Sequence, residues 1–172
     1  YIFLRHFARA YGLAAYKSES LEEIRAASHG LQAIINVEIG LHESYCAGWG
    51  VDSAALDLAP EDSATLAYTR YVLERGMAGD LLDLYVALAP CIVGYGEIGA
   101  RLMAGDRSQL EGNPYRAWIE MYGGEDYQAL SNDAVTFLDR IGRTRGAESR
   151  FASLSRVFGE ATRLEVAFWQ MG

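Results

Sequence analysis

The sequence predicts an all-α protein, a single helical bundle, on three observations. Apolar residues recur in alternating steps of three and four along nearly every stretch between turn-like segments. No segment alternates apolar and polar residues at period two for long enough to make a strand. The stretch LLDLYVALAPCIVGYGEIGARL, over 81–102, sets Leu81, Leu84, Leu88, Cys91, Tyr95, Ile98 and Leu102 on one face and is nearly apolar all round between Leu84 and Tyr95. A helix of that kind is covered on every side, so it is the axis of the bundle. With 172 residues, 51% of them hydrophobic, the chain is one domain, 1–172, with a sizeable core.

About seven helices follow in order. The first carries Phe3, Phe7, Ala10, Tyr11 and Ala14 on one face. Ser20 and Glu23 have the spacing of a capping box, opening a helix over 21–48 that turns Ile24, Ala27, Leu31, Ile34, Leu41 and Tyr45 inward. Within it Glu38 and His42 share a face and read as a hydrogen-bonded pair. Gly48 and Gly50 end it, and a loop over 52–60 leads to a helix over 61–75 bearing Leu66, Tyr68, Tyr71, Val72 and Leu73.

Gly76 and Gly79 bracket the turn into the central helix. Pro90 removes an amide donor and crowds the preceding turn, which predicts a bend just before Cys91. Gly94, Gly96 and Gly99 cost helix stability but let another backbone or a flat ligand approach closely. Past Gly105 the chain turns polar until Pro114, read as the first residue of a short helix with Tyr115, Trp118, Ile119 and Tyr122. Gly123 and Gly124 end it. A helix over 125–143 and a last one from 147 to the end complete the bundle, the last with Phe151, Leu154, Phe158, Leu164, Phe168 and Trp169.

A net charge of −8 argues against a nucleic-acid or anionic-membrane surface. The basic residues Arg140, Arg143, Arg145 and Arg150 read as a solvated helix end and loop. The longest uncharged run, 84–96, is shorter than the roughly 20 residues of a membrane span. Two cysteines, Cys46 and Cys91, in an acidic helical domain point to a reducing, cytoplasmic setting, with a disulfide between them left open. No signal peptide is visible. The chain begins without methionine inside an amphipathic helix, so residues are expected upstream of Tyr1.

Cys91 is the foremost candidate for chemistry. A thiol becomes a nucleophile when its thiolate is stabilised, and Tyr95, one turn on, can donate a hydrogen bond to it. Packing is the competing reading, since unpaired cysteine is among the most buried residue types. Glu165 lies among aromatics in RLEVAFW, where a carboxyl is held protonated toward neutrality and serves as a general acid; a surface pairing with Arg163 is the alternative. Tyr68 and Tyr122 face inward as core residues or as pocket hydroxyls. A di-iron bundle site requires Glu-x-x-His on two helices, and His6, His29 and His42 are preceded at that spacing by Phe3, Ala26 and Ile39, so no metal site is expected. GYGEIG follows no strand and is a poor phosphate loop. No Ser-His-Asp hydrolase motif occurs.

The strings HFARAYGLAAYK, LHESYCAGWG, TLAYTRYVL, DLLDLYVALAPCIVGYGEIG, NPYRAWIEMYGG and RLEVAFWQM, in this order over essentially the whole chain, resemble the TenA family, thiaminase II. The resemblance implies a fold similar to haem oxygenase but binding no haem, a homotetramer, and hydrolysis of thiamin-related aminopyrimidines without a cofactor. The implied role is thiamin salvage: 4-amino-5-aminomethyl-2-methylpyrimidine becomes the hydroxymethyl compound plus ammonia, with thiamin cleaved more slowly. Carried over by motif, Cys91 adds to the pyrimidine ring and Glu165 protonates the leaving amine, then helps activate water. Tyr95 and Tyr68 hydrogen-bond around thiol and ring, Tyr122 lines the pocket, and Phe3 and Phe168 stack on the ring. The family's substrate-gripping aspartate would align immediately before Tyr1, where this sequence starts. Cys91 puts the chain in the cysteine-bearing branch. Two other readings compete: a pyrimidine-binding protein without turnover, and a haem-oxygenase-like oxidase.

Overall fold

In a computed structural model, residues 1–105 and 110–171 are described, and among them every regular element is helical. The chain runs through α1 (Ile2–Lys17) and α2 (Leu21–Ala33), then through a π-helical turn (Ile34–Glu38) directly into α3 (Ile39–Gly48). A short α4 (Ser53–Leu58) precedes α5 (Ser63–Ala78) and the central α6 (Leu81–Ala104). Three further helices, α7 (Arg116–Gly123), α8 (Glu125–Thr144) and α9 (Ala147–Gln170), close the bundle.

Local chemistry explains where several of these helices begin. The capping box at α2 forms as expected: Ser20 accepts from the Glu23 amide, and the Glu23 carboxylate accepts from the Ser20 and Glu19 amides. A second, reciprocal one opens α6, where Asp80 accepts from the Leu82 and Asp83 amides and Asp83 accepts from the Asp80 amide. Asp52 caps α4, a helical turn inside what reads as a loop, and Asp62 caps α5 one to two residues after its expected start. Helix α7 starts at Arg116 rather than Pro114, because Pro114 and Tyr115 form the turn in which Asn113 Oδ1 accepts from the Tyr115 amide. The polar stretch after Gly105 lies outside the described residues over 106–109.

Helix α6 is the axis. Leu81, Leu82, Leu84, Ala87 and Leu88 are fully buried, and α1, α5, α7, α8 and α9 all pack against it. By length and composition it could cross a membrane, but these five neighbours cover its apolar faces over Leu81 to Leu88. It passes through Pro90 as one helix. Only two of its three glycines make room for neighbours: a Cβ at Gly99 would lie 2.5 Å from the Tyr122 backbone and one at Gly96 would lie 2.8 Å from Ser131 Oγ, whereas Gly94 faces open space. Near its end Ile98 and Leu102 are exposed, having run past the helices that cover Leu81 to Leu88.

Other expectations need correction. The helix over 21–48 is interrupted by the π turn, whose extra residue rotates the face that follows it, and Tyr45 beyond the turn is exposed; ahead of the turn Ala27 is buried and Ile24 exposed, and Ile34, its first residue, is buried. On α5 Leu66 is exposed, and on α9 Phe151 and Phe158 point outward; Leu154, Val157, Ala161 and Glu165 form the buried stripe of α9. Tyr115, in the turn before α7, is exposed too. The arginine cluster is not merely solvated. Arg145 pairs with Glu23 at 2.7 Å with both side chains only 11% exposed, and Arg150 spans Asp80 and Asp83, tying α9 to the start of α6.

Candidate active site

The site lies where α6, α9, α5, α1 and α7 meet, and each contributes side chains; those from α9, α5, α1 and α7 include the buried Glu165, Tyr68, Phe3 and Tyr122. Cys91 and Tyr95 are one turn apart on α6, both partly accessible. Glu165 comes from α9 and is 7% exposed, so the surface pairing with Arg163 does not occur; Arg163 pairs with Glu160 instead. The Tyr95 hydroxyl donates to Glu165 Oε1 at 3.1 Å. Tyr68, on α5, is fully buried, and its hydroxyl faces the same carboxyl. Neither that hydroxyl nor Glu165 Oε2 completes a hydrogen bond, which leaves two buried polar atoms unpaired at one place.

Aromatic rings wall the cluster on two sides. Phe3 of α1 packs against Phe168 of α9 at 4.8 Å between ring centres and against Tyr68 at 5.3 Å. On the other side Tyr95 meets Tyr122 of α7 at 5.0 Å, and Trp118 and Trp169 at 5.8 and 5.6 Å. All seven residues expected at the site, Cys91, Glu165, Phe3, Tyr68, Tyr95, Tyr122 and Phe168, therefore belong to one continuous cluster. Two open clefts of about 580 and 420 Å³ lie elsewhere, beside Arg70 and Met77 and beside Glu19 and Arg145, and touch none of these seven.

Burial raises the Glu165 carboxyl above its ordinary value, while the donors that face it, Tyr68, Tyr95 and Trp169, favour its charged form and oppose that rise; of the three, only Tyr95 completes a hydrogen bond to it. The Cys91 thiol is pushed well above its ordinary value by burial first, then by Glu165 and Glu38. Cys91 is thus a protonated thiol at neutral pH. Tyr68, Tyr95 and Tyr122 are all raised, chiefly by burial, and remain neutral donors. Both cysteines are free, so no disulfide joins them. Among the described residues no three His, Cys, Asp or Glu side chains are gathered as a metal site.

Sequence reasoning missed three participants. Tyr127, in the first turn of α8, donates to the Ile92 carbonyl at 3.2 Å and lies within electrostatic reach of Cys91. Its neighbour Gln128 donates to the Gly96 and Tyr122 carbonyls, both at 2.8 Å, fastening α8 to α6 and α7 beneath the site. The third is Glu38. It makes no hydrogen bond to His42, and acts instead on Cys91, Tyr122 and Tyr127. The only sequence signal for Tyr127 was its place beside a helix start, and for Glu38 a carboxylate among apolar residues.

The sequence profile of the TENA/THI-4/PQQC family matches residues 1–172. An uncharacterized protein of Haemophilus influenzae is 37% identical over 172 residues, covering 100% of this chain and 79% of that protein. An aminopyrimidine aminohydrolase of Halalkalibacterium halodurans is 32% identical over 171 residues, 99% of this chain and 75% of the relative. A crystal structure described as a TenA family transcription regulator from Silicibacter superposes with a TM-score of 0.88 at 47% identity, covering 99% of this chain and 76% of that one.

Proposed function

The chain belongs to the TENA/THI-4/PQQC family, and on that premise we propose that it is a cofactor-independent hydrolase of thiamin-related aminopyrimidines. The reaction is salvage of 4-amino-5-aminomethyl-2-methylpyrimidine to the 5-hydroxymethyl compound and ammonia, with thiamin a slower substrate. The observation that carries this reading is the meeting of Cys91, Tyr95 and Glu165, with Glu165 Oε2 and the Tyr68 hydroxyl both unpaired and buried beside them. Relatives named aminopyrimidine aminohydrolase support it.

The raised thiol determines the order of steps. Cys91 is protonated at rest, so its proton leaves as sulfur attacks the electron-poor ring, and the ionised Glu165 is the base within reach. A carbon–sulfur bond forms and the ring accepts the electron pair. Glu165 passes the proton to the exocyclic amine, the carbon–nitrogen bond breaks and ammonia departs. Water, deprotonated by the same carboxylate, adds to the exocyclic carbon; the thiolate is expelled and takes back a proton. The net change is one water in and one ammonia out. The Tyr95 hydrogen bond aims the carboxyl through both transfers. Phe3 and Phe168 stack on the flat ring, and Tyr68 and Tyr122 meet its polar edge. The enzyme acts in the cytoplasm as a homotetramer.

A second reading, pyrimidine binding without turnover, draws on the same raised thiol, because an unreactive Cys91 would only line a pocket. Ammonia release from the aminomethylpyrimidine, measured beside thiamin cleavage, separates the two. Release that outpaces thiamin cleavage supports salvage hydrolysis, and a folded protein that binds the pyrimidine and releases nothing would leave a binding protein.

A further inference from the structure

Gln128 directs both hydrogens of its side-chain amide at carbonyls of two different helices. Nε2 donates to Gly96 of α6 and to Tyr122 of α7, at 2.8 Å each. Carbonyls only accept, so it is the nitrogen of the amide that must face them. Among uncharged side chains only asparagine and glutamine carry two hydrogens on one nitrogen, and glutamine has the longer reach. The Gln128 backbone amide donates to the Gly124 carbonyl at 3.0 Å, which seats the residue firmly at the start of α8.

Both acceptors lie next to the site. Tyr122 is in the last turn of α7, where a helix carbonyl has no amide four residues on to accept from, and Gln128 supplies that donor. Gly96 directly follows Tyr95, and its lack of a side chain lets α8 come close: a Cβ there would lie 2.8 Å from Ser131 Oγ and 3.6 Å from Gln128 Nε2. The rings of Tyr95 and Tyr122 touch at 5.0 Å between centres. Tyr127 adds to the tie, its ring meeting Tyr122 edge-on at 4.6 Å and its hydroxyl donating to the Ile92 carbonyl at 3.2 Å. The start of α8 thus fixes α6 against α7 behind one pair of rings. One of those rings carries the hydroxyl that reaches Glu165 Oε1 at 3.1 Å. A hydrogen bond already near the long end of its range is lost when its helix shifts by a few tenths of an ångström.

We propose that Gln128 is a positioning residue, which ties Gly96 to Tyr122 and so holds the Tyr95 hydroxyl on Glu165. This rests on the aminopyrimidine reading given above, in which that carboxyl moves the proton.

A double-mutant cycle between Gln128 and Tyr95, read as ammonia release from the aminomethylpyrimidine, tests it. Gln128→Met keeps the length of the side chain and removes both donors, and Gln128→Asn keeps the amide on a shorter arm. Gln128→Met should lower kcat about tenfold with KM within about threefold, and Gln128→Asn should fall between it and the native protein. In a Tyr95→Phe background the same changes should cost no more than about twofold, because the hydroxyl they aim is already gone. A purely structural tie would lower both backgrounds equally. That result, or a native kcat in Gln128→Met, overturns the role of Gln128 and leaves the aminopyrimidine reading standing. Chemical denaturation checks the folding of each variant, and where Gln128→Met does not fold the Gln128→Asn cycle decides in its place. A native protein that releases no ammonia overturns the aminopyrimidine reading, and this inference with it.

Discussion

At Glu165 two demands on one carboxyl conflict, and the conflict is measurable. Burial raises its proton affinity, so between the ordinary glutamate value of 4.5 and the native value the folded protein holds more protons than the unfolded chain. Stability therefore falls as pH rises through that window. Glu165→Gln should melt at a higher temperature than the native protein at pH 7, and lose most of its turnover. A lower melting temperature would show that the ionised carboxyl is a net stabiliser. In the intact enzyme the acid limb of kcat/KM should lie above 4.5, since Glu165 must be ionised to receive the thiol proton. Tyr95→Phe removes a hydrogen bond that favours the charged form, so that limb should move to higher pH and the rate fall about tenfold to a hundredfold. An unmoved limb would take Glu165 out of the proton transfer.

At the scale of helices, the site depends on how closely α7 approaches α6. A Cβ at Gly99 would meet the Tyr122 carbonyl carbon at 2.5 Å and the Gly123 nitrogen at 2.6 Å, both backbone atoms that cannot rotate away. Gly99→Ala should cost about 1–3 kcal/mol in chemical denaturation and reduce activity, because α7 carries Tyr122 and Trp118 with it. Native stability in that variant would mean that the two helices have slack. Arg145→Ala strands Glu23, which then keeps only its backbone hydrogen bonds, and should cost about 1–3 kcal/mol.

These helices also show what a sequence makes legible. Ser20 and Glu23 announced α2 because a capping box is written in residue types, and Leu81, Leu84 and Leu88 announced α6 because burial requires them at helical spacing. The inward face of α9 was harder to read. Apolar residues lie on two of its faces, and the stripe that turns inward includes Ala161 and Glu165, while the larger Phe151 is 70% exposed. The π turn was invisible, since a change of hydrogen-bond register from i+4 to i+5 demands no particular residue. Glu38 and His42 share a face by spacing, yet no hydrogen bond joins them. The seven residues expected at the site come from the resemblance; periodicity alone leaves Cys91 and Glu165 undecided.

For the molecule as a whole, the exposed apolar residues matter most. Ile35, Val37, Tyr45, Trp49, Val51 and Leu58 all lie between the π turn and α4, and Trp49 is 78% exposed. A surface of that kind is costly to leave in water and is what an assembly covers. Sedimentation equilibrium should find a homotetramer, and Trp49→Glu should shift it toward smaller species. A monomer at micromolar concentration would contradict this part of the account.

The central claim is that the thiol of Cys91, protonated at rest, becomes the nucleophile. Steady-state ammonia release by Cys91→Ser, with pyrimidine affinity measured on the same sample, tests it most directly. The account predicts a loss in kcat of at least about 10³-fold with a nearly unchanged dissociation constant. Turnover retained at the native rate would show that the sulfur forms no bond to the ring.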